Sequence, residues 1–111
     1  MDRVDRYRAA VRRLIEDYAR IKPSVGDIET EAVIDAERDH YEVLWHGFEG
    51  HKRVHGSMIH IDIKGDKVWI QHNGTSELIA DELMADGVPR EAIVLGFYPP
   101  DVRKLTEFAA G

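Results

Sequence analysis

Six histidines fall between residues 40 and 72 of the 111-residue chain, and none lies elsewhere. They are His40, His46, His51, His55, His60 and His72. Imidazole is both a common metal ligand and the usual general base near neutral pH. The clustering therefore raises two chemistries. A zinc site needs three or four N, S or O ligands converging within ~2.3 Å. The chain has no cysteine, which excludes thiolate sites and disulfides. No predicted helix carries a His-x3-His pair; His51 and His55 have that spacing but fall in the stretch read as a turn and strand. For base chemistry, His60 and Asp62 sit at alternate positions, so an extended strand puts both on one face as a base and its orienting group. The same spacing arises readily as a solvent-facing polar pair. Neither a nucleophile elbow nor the phosphate loops GxxxxGK and GxGxxG is present.

The elements that carry these residues follow from periodicity. Residues 2–21 read as one amphipathic helix. Val4, Tyr7, Val11, Leu14, Ile15, Tyr18 and Ile21 recur at steps of three and four, which places them on one stripe. Asp2 caps its start and Pro23 ends it. Residues 27–73 read as four strands in an antiparallel meander. In the first, Ile28, Ala32, Ile34 and Ala36 alternate with Glu29, Glu31, Val33, Asp35 and Glu37. The outward acids serve solubility and protect an edge. A two-residue loop at Arg38-Asp39 pairs Ala36 with Tyr41 and Ile34 with Val43. The next turn is Gly47-Phe48-Glu49-Gly50.

The third strand, residues 52–64, changes its apolar parity between Val54 and Ile59, and a bulge at Gly56-Ser57 repairs it. Gly65-Asp66 makes a two-residue hairpin loop. Counting outward, Ile63 faces Val68, Ile61 faces Ile70, Ile59 faces His72, Asp62 faces Trp69 and His60 faces Gln71. A helix capped by Thr75 or Ser76 runs to about Ala85, beginning with Glu77 and Leu78. Gly87 ends it. Ala92-Ile93-Val94-Leu95 is a short fifth strand. Pro99-Pro100 opens a helical tail in which Leu105, Phe108 and Ala109 fold back on the body. The fold class is α+β, in a single domain over residues 1–111.

This register sends His40, His46, His55 and His60 outward and turns His72 inward. They lie near strand ends and are not adjacent, so the reading assigns no metal, no cofactor and no catalytic residue. The outward face also carries Val33, Leu44, Met58 and Trp69 among His60, Asp62 and Gln71. An exposed Trp with aliphatic neighbours is a common kernel of protein contacts. The C-terminal segment is an equal claimant to cover it.

Charge narrows the partners. The net charge is −6, which disfavours a general nucleic-acid binder. Residues 1–22 nevertheless hold seven Arg and Lys against four acids. Arg6, Arg13 and Arg20, seven apart, form one column on the first helix and are the candidates for a DNA contact. No apolar run is long enough for a membrane span, and the N-terminus MDRVDRYR has no apolar signal core. The expected location is the cytoplasm.

An ordered string of motifs carries a resemblance. DRYR, DAERDHYEVL, RVHGSMIHIDIKGDKVWIQ, TSELIADEL, GVPREAIVLGF and RKLTEFA, spread over essentially the whole chain, resemble the XisI family. These are the fdxN-element excision controlling factors of filamentous nitrogen-fixing cyanobacteria. No single motif is diagnostic, and the ordered set is the specific feature. Phe48 departs from the Trp expected after Gly47. The resemblance implies a non-catalytic accessory protein in DNA rearrangement during heterocyst differentiation. It implies action with an XisH-like partner and, indirectly, a site-specific recombinase, and it carries no catalytic residue. The rival readings are a direct DNA contact through the basic helix and a small His-dependent metal or hydrolytic site. Trp69 and Met58 on an outward face imply a homodimer.

Overall fold

The computed structural model describes residues 2–23 and 26–111. Helix α1 spans Arg3–Ala19. The Asp2 side chain accepts from the Asp5 amide at 2.8 Å and satisfies one of the free N–H groups of the first turn. Tyr7, Ala10, Val11, Leu14, Ile15 and Tyr18 are its buried stripe. The helix ends before Ile21, which is 58% exposed rather than part of that stripe.

Four antiparallel strands follow, β1 (Asp27–Asp35), β2 (His40–Glu49), β3 (Lys52–Lys64) and β4 (Lys67–Asn73). Helix α2 (Ile79–Ala85) and a 3-10 turn at Arg90–Ala92 then carry the chain to β5 (Ile93–Leu95). Strand β5 pairs parallel to β4, so the sheet is mixed, in the order β1-β2-β3-β4-β5. A parallel neighbour requires such a crossover connection. A four-residue helix, α3 (Pro100–Arg103), opens the tail, and Ala109 bridges to Val94 beyond β5.

Helices α1 and α2 bury Ile15, Leu83 and their neighbours against Val43, Ile59, Ile61, Val68, Ile70 and Ile93 of the sheet. Together these form one core, driven by removal of apolar surface from water. Leu78 precedes α2 and is 70% exposed, and Leu105 is 85% exposed. Leu78 stays outside the core, and Leu105 does not fold back on the body as expected. The tail residue that does pack on it is Phe108.

Several sequence registers are corrected. The β1–β2 connection is four residues, 36–39, because the Asp35 side chain accepts from the Glu37 and Arg38 amides and holds a local turn. Ile34 therefore faces Tyr41 and Ala32 faces Val43. The slip is an even number of residues, so both faces survive it. Strand β2 continues through Gly47 to Glu49, and the chain reverses at Gly50-His51.

The bulge lies at Met58 rather than Gly56-Ser57. Val43 faces Ile59, Leu44 faces Ser57, and Met58 has no partner. It turns into the core, with 9% of its surface exposed. Met58 is thus not on the outward face. The hairpin at Gly65-Asp66 holds its expected register as far as Ile61 and Ile70. A second irregularity then skips Gln71, so His60 faces His72 and Ile59 faces Asn73. The separation of His60 and His72 onto opposite faces does not hold, since cross-strand partners share a face.

Candidate functional site

The two helices cover one face of the sheet, and the functional candidates lie on the other. Strand alternation puts His40, Glu42 and Leu44 of β2 opposite in direction to Tyr41 and Val43. On β3 it does the same for His60 and Asp62 against Ile59, Ile61 and Ile63. The pairing sets His40 against Asp62 and Glu42 against His60. His-x-Glu on one strand thus faces His-x-Asp, reversed, on the next.

The Met58 bulge makes this alignment. The turn pairs Glu49 with Lys52, and beyond the bulge each β2 residue meets a β3 residue one position further along. An unbroken ladder would set Tyr41 against His60 and leave His40 against Ile61. The extra residue matches apolar with apolar and imidazole with carboxylate.

The four side chains form a connected network. His40 Nδ1 lies 2.9 Å from Asp62 Oδ1, and His40 Nε2 lies 2.9 Å from Glu42 Oε2. His60 Nε2 lies 3.0 Å from Asp62 Oδ2, and the Gln71 amide donates to the same oxygen at 3.3 Å. The two imidazole rings are tilted, with centroids 4.6 Å apart. All four are partly screened from solvent, with side-chain exposures of 33, 21, 29 and 18% for His40, Glu42, His60 and Asp62. The hydrogen bond to Glu42 raises the His40 pKa above its usual value, burial opposes this, and Asp62 adds to the rise. Burial pushes the Glu42 carboxyl up, and the hydrogen bonds from His40 and Ser57, with the charge of the two imidazoles, together hold the group below the usual carboxylate range.

The other sequence candidates are placed as follows. Val33 faces Glu42 from β1, and Leu44 lies two residues along β2. Trp69 faces Asp62 from β4 but is capped by its own chain. The Arg103 guanidinium and the Lys64 ammonium each lie 4.9 Å from its ring. Gly96 packs so closely there that a Cβ would lie 2.5 Å from Gln71 Oε1 and 3.1 Å from Trp69 Cε3. Of the four apolar candidates, Met58 is internal, Trp69 is covered by the tail, and Val33 and Leu44 stand partly open. His46 faces His55 across β2 and β3, further along the open face.

The basic column on α1 is largely paired within the chain. Arg13 reaches Asp86 at 3.3 Å and Arg20 reaches Asp17 at 2.7 Å. Arg6 makes no ion pair among the described residues. Elsewhere on the helix, Arg3, Arg8 and Arg12 bind Asp66, Asp39 and Glu16.

Glu42 is the member of the network that sequence reasoning missed, and His40 was placed outward without a neighbour. The signal was present as the paired triplets His40-Tyr41-Glu42 and His60-Ile61-Asp62. It becomes readable only when the strand register is known.

The fold and this face define a small two-layer α+β domain, helices on one side of a mixed five-stranded sheet and a polar, histidine-bearing surface on the other. The chain belongs to the XisI family: the family model described as XisI protein matches residues 1–110. An XisI-like protein from Anabaena variabilis is 38% identical, with a TM-score of 0.90 over 97% of this chain and 99% of that one. The fdxN element excision controlling factor XisI from Anabaena variabilis is 34% identical, with a TM-score of 0.85 over 99% of this chain and 100% of that one. No curated protein matches the chain.

Proposed function

We propose that this chain is an accessory factor that controls site-specific excision of a DNA element, acting by protein contact rather than by catalysis. The observation that carries the reading is its full-length kinship with an fdxN element excision controlling factor. The open sheet face supports the mode of action. Helices bury one side of the sheet, and the other presents Val33 and Leu44 beside the His40–Glu42–His60–Asp62 network. A flat, mixed apolar and polar surface of this kind suits a protein interface. The basic helix supports a direct DNA contact less well, because most of its arginines neutralise acids of the same chain.

The partner in this reading is an XisH-like protein, with the recombinase reached through it. Co-expression of the two chains followed by size-exclusion chromatography tests this. A stable complex is expected, and Leu44→Glu, a partly open position, should dissociate it while leaving the fold intact. Two separate peaks at micromolar concentration would refute the proposed pairing.

A further inference from the structure

We infer that His40, His60 and Asp62 form a binding site for a divalent metal ion of the zinc class, oriented by Glu42. The inference stands on the geometry of this cluster and does not depend on the partner reading. One ligand atom from each of the three residues can be chosen so that all lie within 4.8 Å of one another. Zinc at its usual ligand distances of about 2.0–2.2 Å needs neighbouring ligand atoms about 3.3–3.5 Å apart. The closure required is at most about 1.3–1.5 Å and lies within reach of part-exposed side chains on two paired strands. Two imidazole nitrogens and a carboxylate oxygen suit zinc and its first-row neighbours rather than calcium or magnesium, which favour all-oxygen shells.

The hydrogen bonding shows how the same atoms rearrange around an ion. Each of the three ring-nitrogen contacts to a carboxylate, at 2.9, 2.9 and 3.0 Å, needs a cation or a proton between the atoms. A neutral imidazole carries one N–H. His40 has a carboxylate at both nitrogens, so the metal-free network holds a proton in each of these contacts. A divalent ion at Nδ1 takes the place of one. His40 then keeps its Nε2 proton on Glu42, the carboxylate–imidazole–metal arrangement that fixes ring orientation in metal sites. His60 moves its proton from Nε2 to Nδ1, and one proton leaves His40 for solvent. Asp62, bound at present by both imidazoles and the Gln71 amide, supplies the anionic ligand. The side chains are open enough for water to complete the shell, which makes this a three-ligand site with an open position.

The test is a Zn2+ titration of chelator-stripped, tag-free protein by calorimetry, with Co2+ absorption as a probe of coordination. Saturation at a single equivalent with micromolar or tighter affinity is expected, together with visible Co2+ bands of a low-coordinate site. His60→Gln and Asp62→Asn should abolish it. Glu42→Gln should weaken it about 10–100-fold, as loss of an orienting carboxylate does. His46→Gln should leave it unchanged. Circular dichroism of each variant separates ligand loss from unfolding. Absence of saturable binding overturns the proposal. So does binding that survives both His60→Gln and Asp62→Asn, or binding that disappears with His46→Gln, because either places the metal elsewhere.

Discussion

Arg8 and Asp39 join helix α1 to the β1–β2 turn through a two-pronged ion pair. Arg8 Nε donates to Asp39 Oδ1 at 2.9 Å and Nη2 donates to Oδ2 at 3.1 Å. Tyr41, on the buried side of β2, donates its hydroxyl to Oδ1 at 3.0 Å. Asp39 has φ 51, a left-handed conformation that Asp tolerates better than most residues. One carboxylate therefore fixes the turn, the helix and a core tyrosine together.

The pair makes stability depend on acid. The hydrogen bond from Arg8 holds the Asp39 carboxyl below its usual range, against burial that pushes it up, and Tyr41 assists. A carboxyl depressed in the folded state stabilises the fold above its unfolded pKa, about 3.9 for Asp. That contribution is lost as pH falls through the lower folded value. Asp39→Asn should therefore lower stability at pH 7 and have little effect at pH 2. Urea unfolding at several pH values measures it. Parallel pH profiles for the variant and the parent would show that the pair is not linked to folding.

Met58 offers a test of the bulge. It fills the core, and truncation to Ala removes its contacts while keeping the extra residue, at a cost of about 2–3 kcal/mol. Deletion of the residue removes the bulge itself. It would leave Leu44 against Ser57 and Val43 against Ile59 with nothing between them, so Tyr41 still meets Ile61 and both faces keep their match. The deletion should therefore still unfold cooperatively, as Met58→Ala should, each with a lowered midpoint. Loss of the cooperative transition on deletion alone would mean that Met58 is not the residue outside the ladder.

These two cases mark what the sequence can and cannot disclose. The Gly65-Asp66 hairpin was readable because a two-residue loop fixes register locally and apolar residues match on both sides. The β1–β2 loop was misjudged because the Asp35 side chain caps its own turn, a contact with no periodic signature. The bulge was inferred from a parity change, but the parity is the same wherever between Val54 and Ile59 the extra residue lies. That ambiguity was enough to turn Met58 outward and to hide the His40–Asp62 alignment. The parallel pairing of β5 with β4 is non-local and leaves no trace in either strand's alternation.

Gly47 sits inside β2 with φ 151, and a Cβ there would lie 2.0 Å from the Asp27 carbonyl oxygen. The neighbouring edge strand leaves no room for a side chain. Gly47→Ala should force β1 away from β2 and cost several kcal/mol. Gly50 also has positive φ, but no atom lies within 4 Å of its Cβ position. Gly50→Ala meets only the conformational penalty, about 1 kcal/mol. Thermal unfolding of the two variants checks the contrast, and equal losses would contradict the close approach at Gly47.

Trp69 reports on the tail. The Arg103 and Lys64 cations each lie 4.9 Å from its ring centroid, contacts of about 0.5–1 kcal/mol each at exposed sites. In a Trp45→Phe background Trp69 is the sole tryptophan. Arg103→Ala should then shift its emission to the red and raise its quenching by iodide, with a stability loss near that range. Unchanged emission would mean that the tail does not shield the ring.

Tyr18 ties the two helices of the covered face together. Its hydroxyl donates to Glu82 Oε2 at 2.6 Å, a short bond to a charged acceptor across the α1–α2 contact. Burial raises the phenol pKa above its usual value, and the bond to Glu82 adds to it. The ring is largely packed against the core, so Tyr18→Phe deletes the hydroxyl alone. A net loss of about 1 kcal/mol is expected for the missing hydrogen bond. Glu82→Gln keeps an acceptor and should lose less. Because Glu82 is not fully enclosed, solvent can satisfy it in the Phe variant, which keeps the loss below that of a stranded buried charge. A double-mutant cycle between the two positions isolates the coupling. Additive losses would show that the bond contributes nothing to holding α2 against α1.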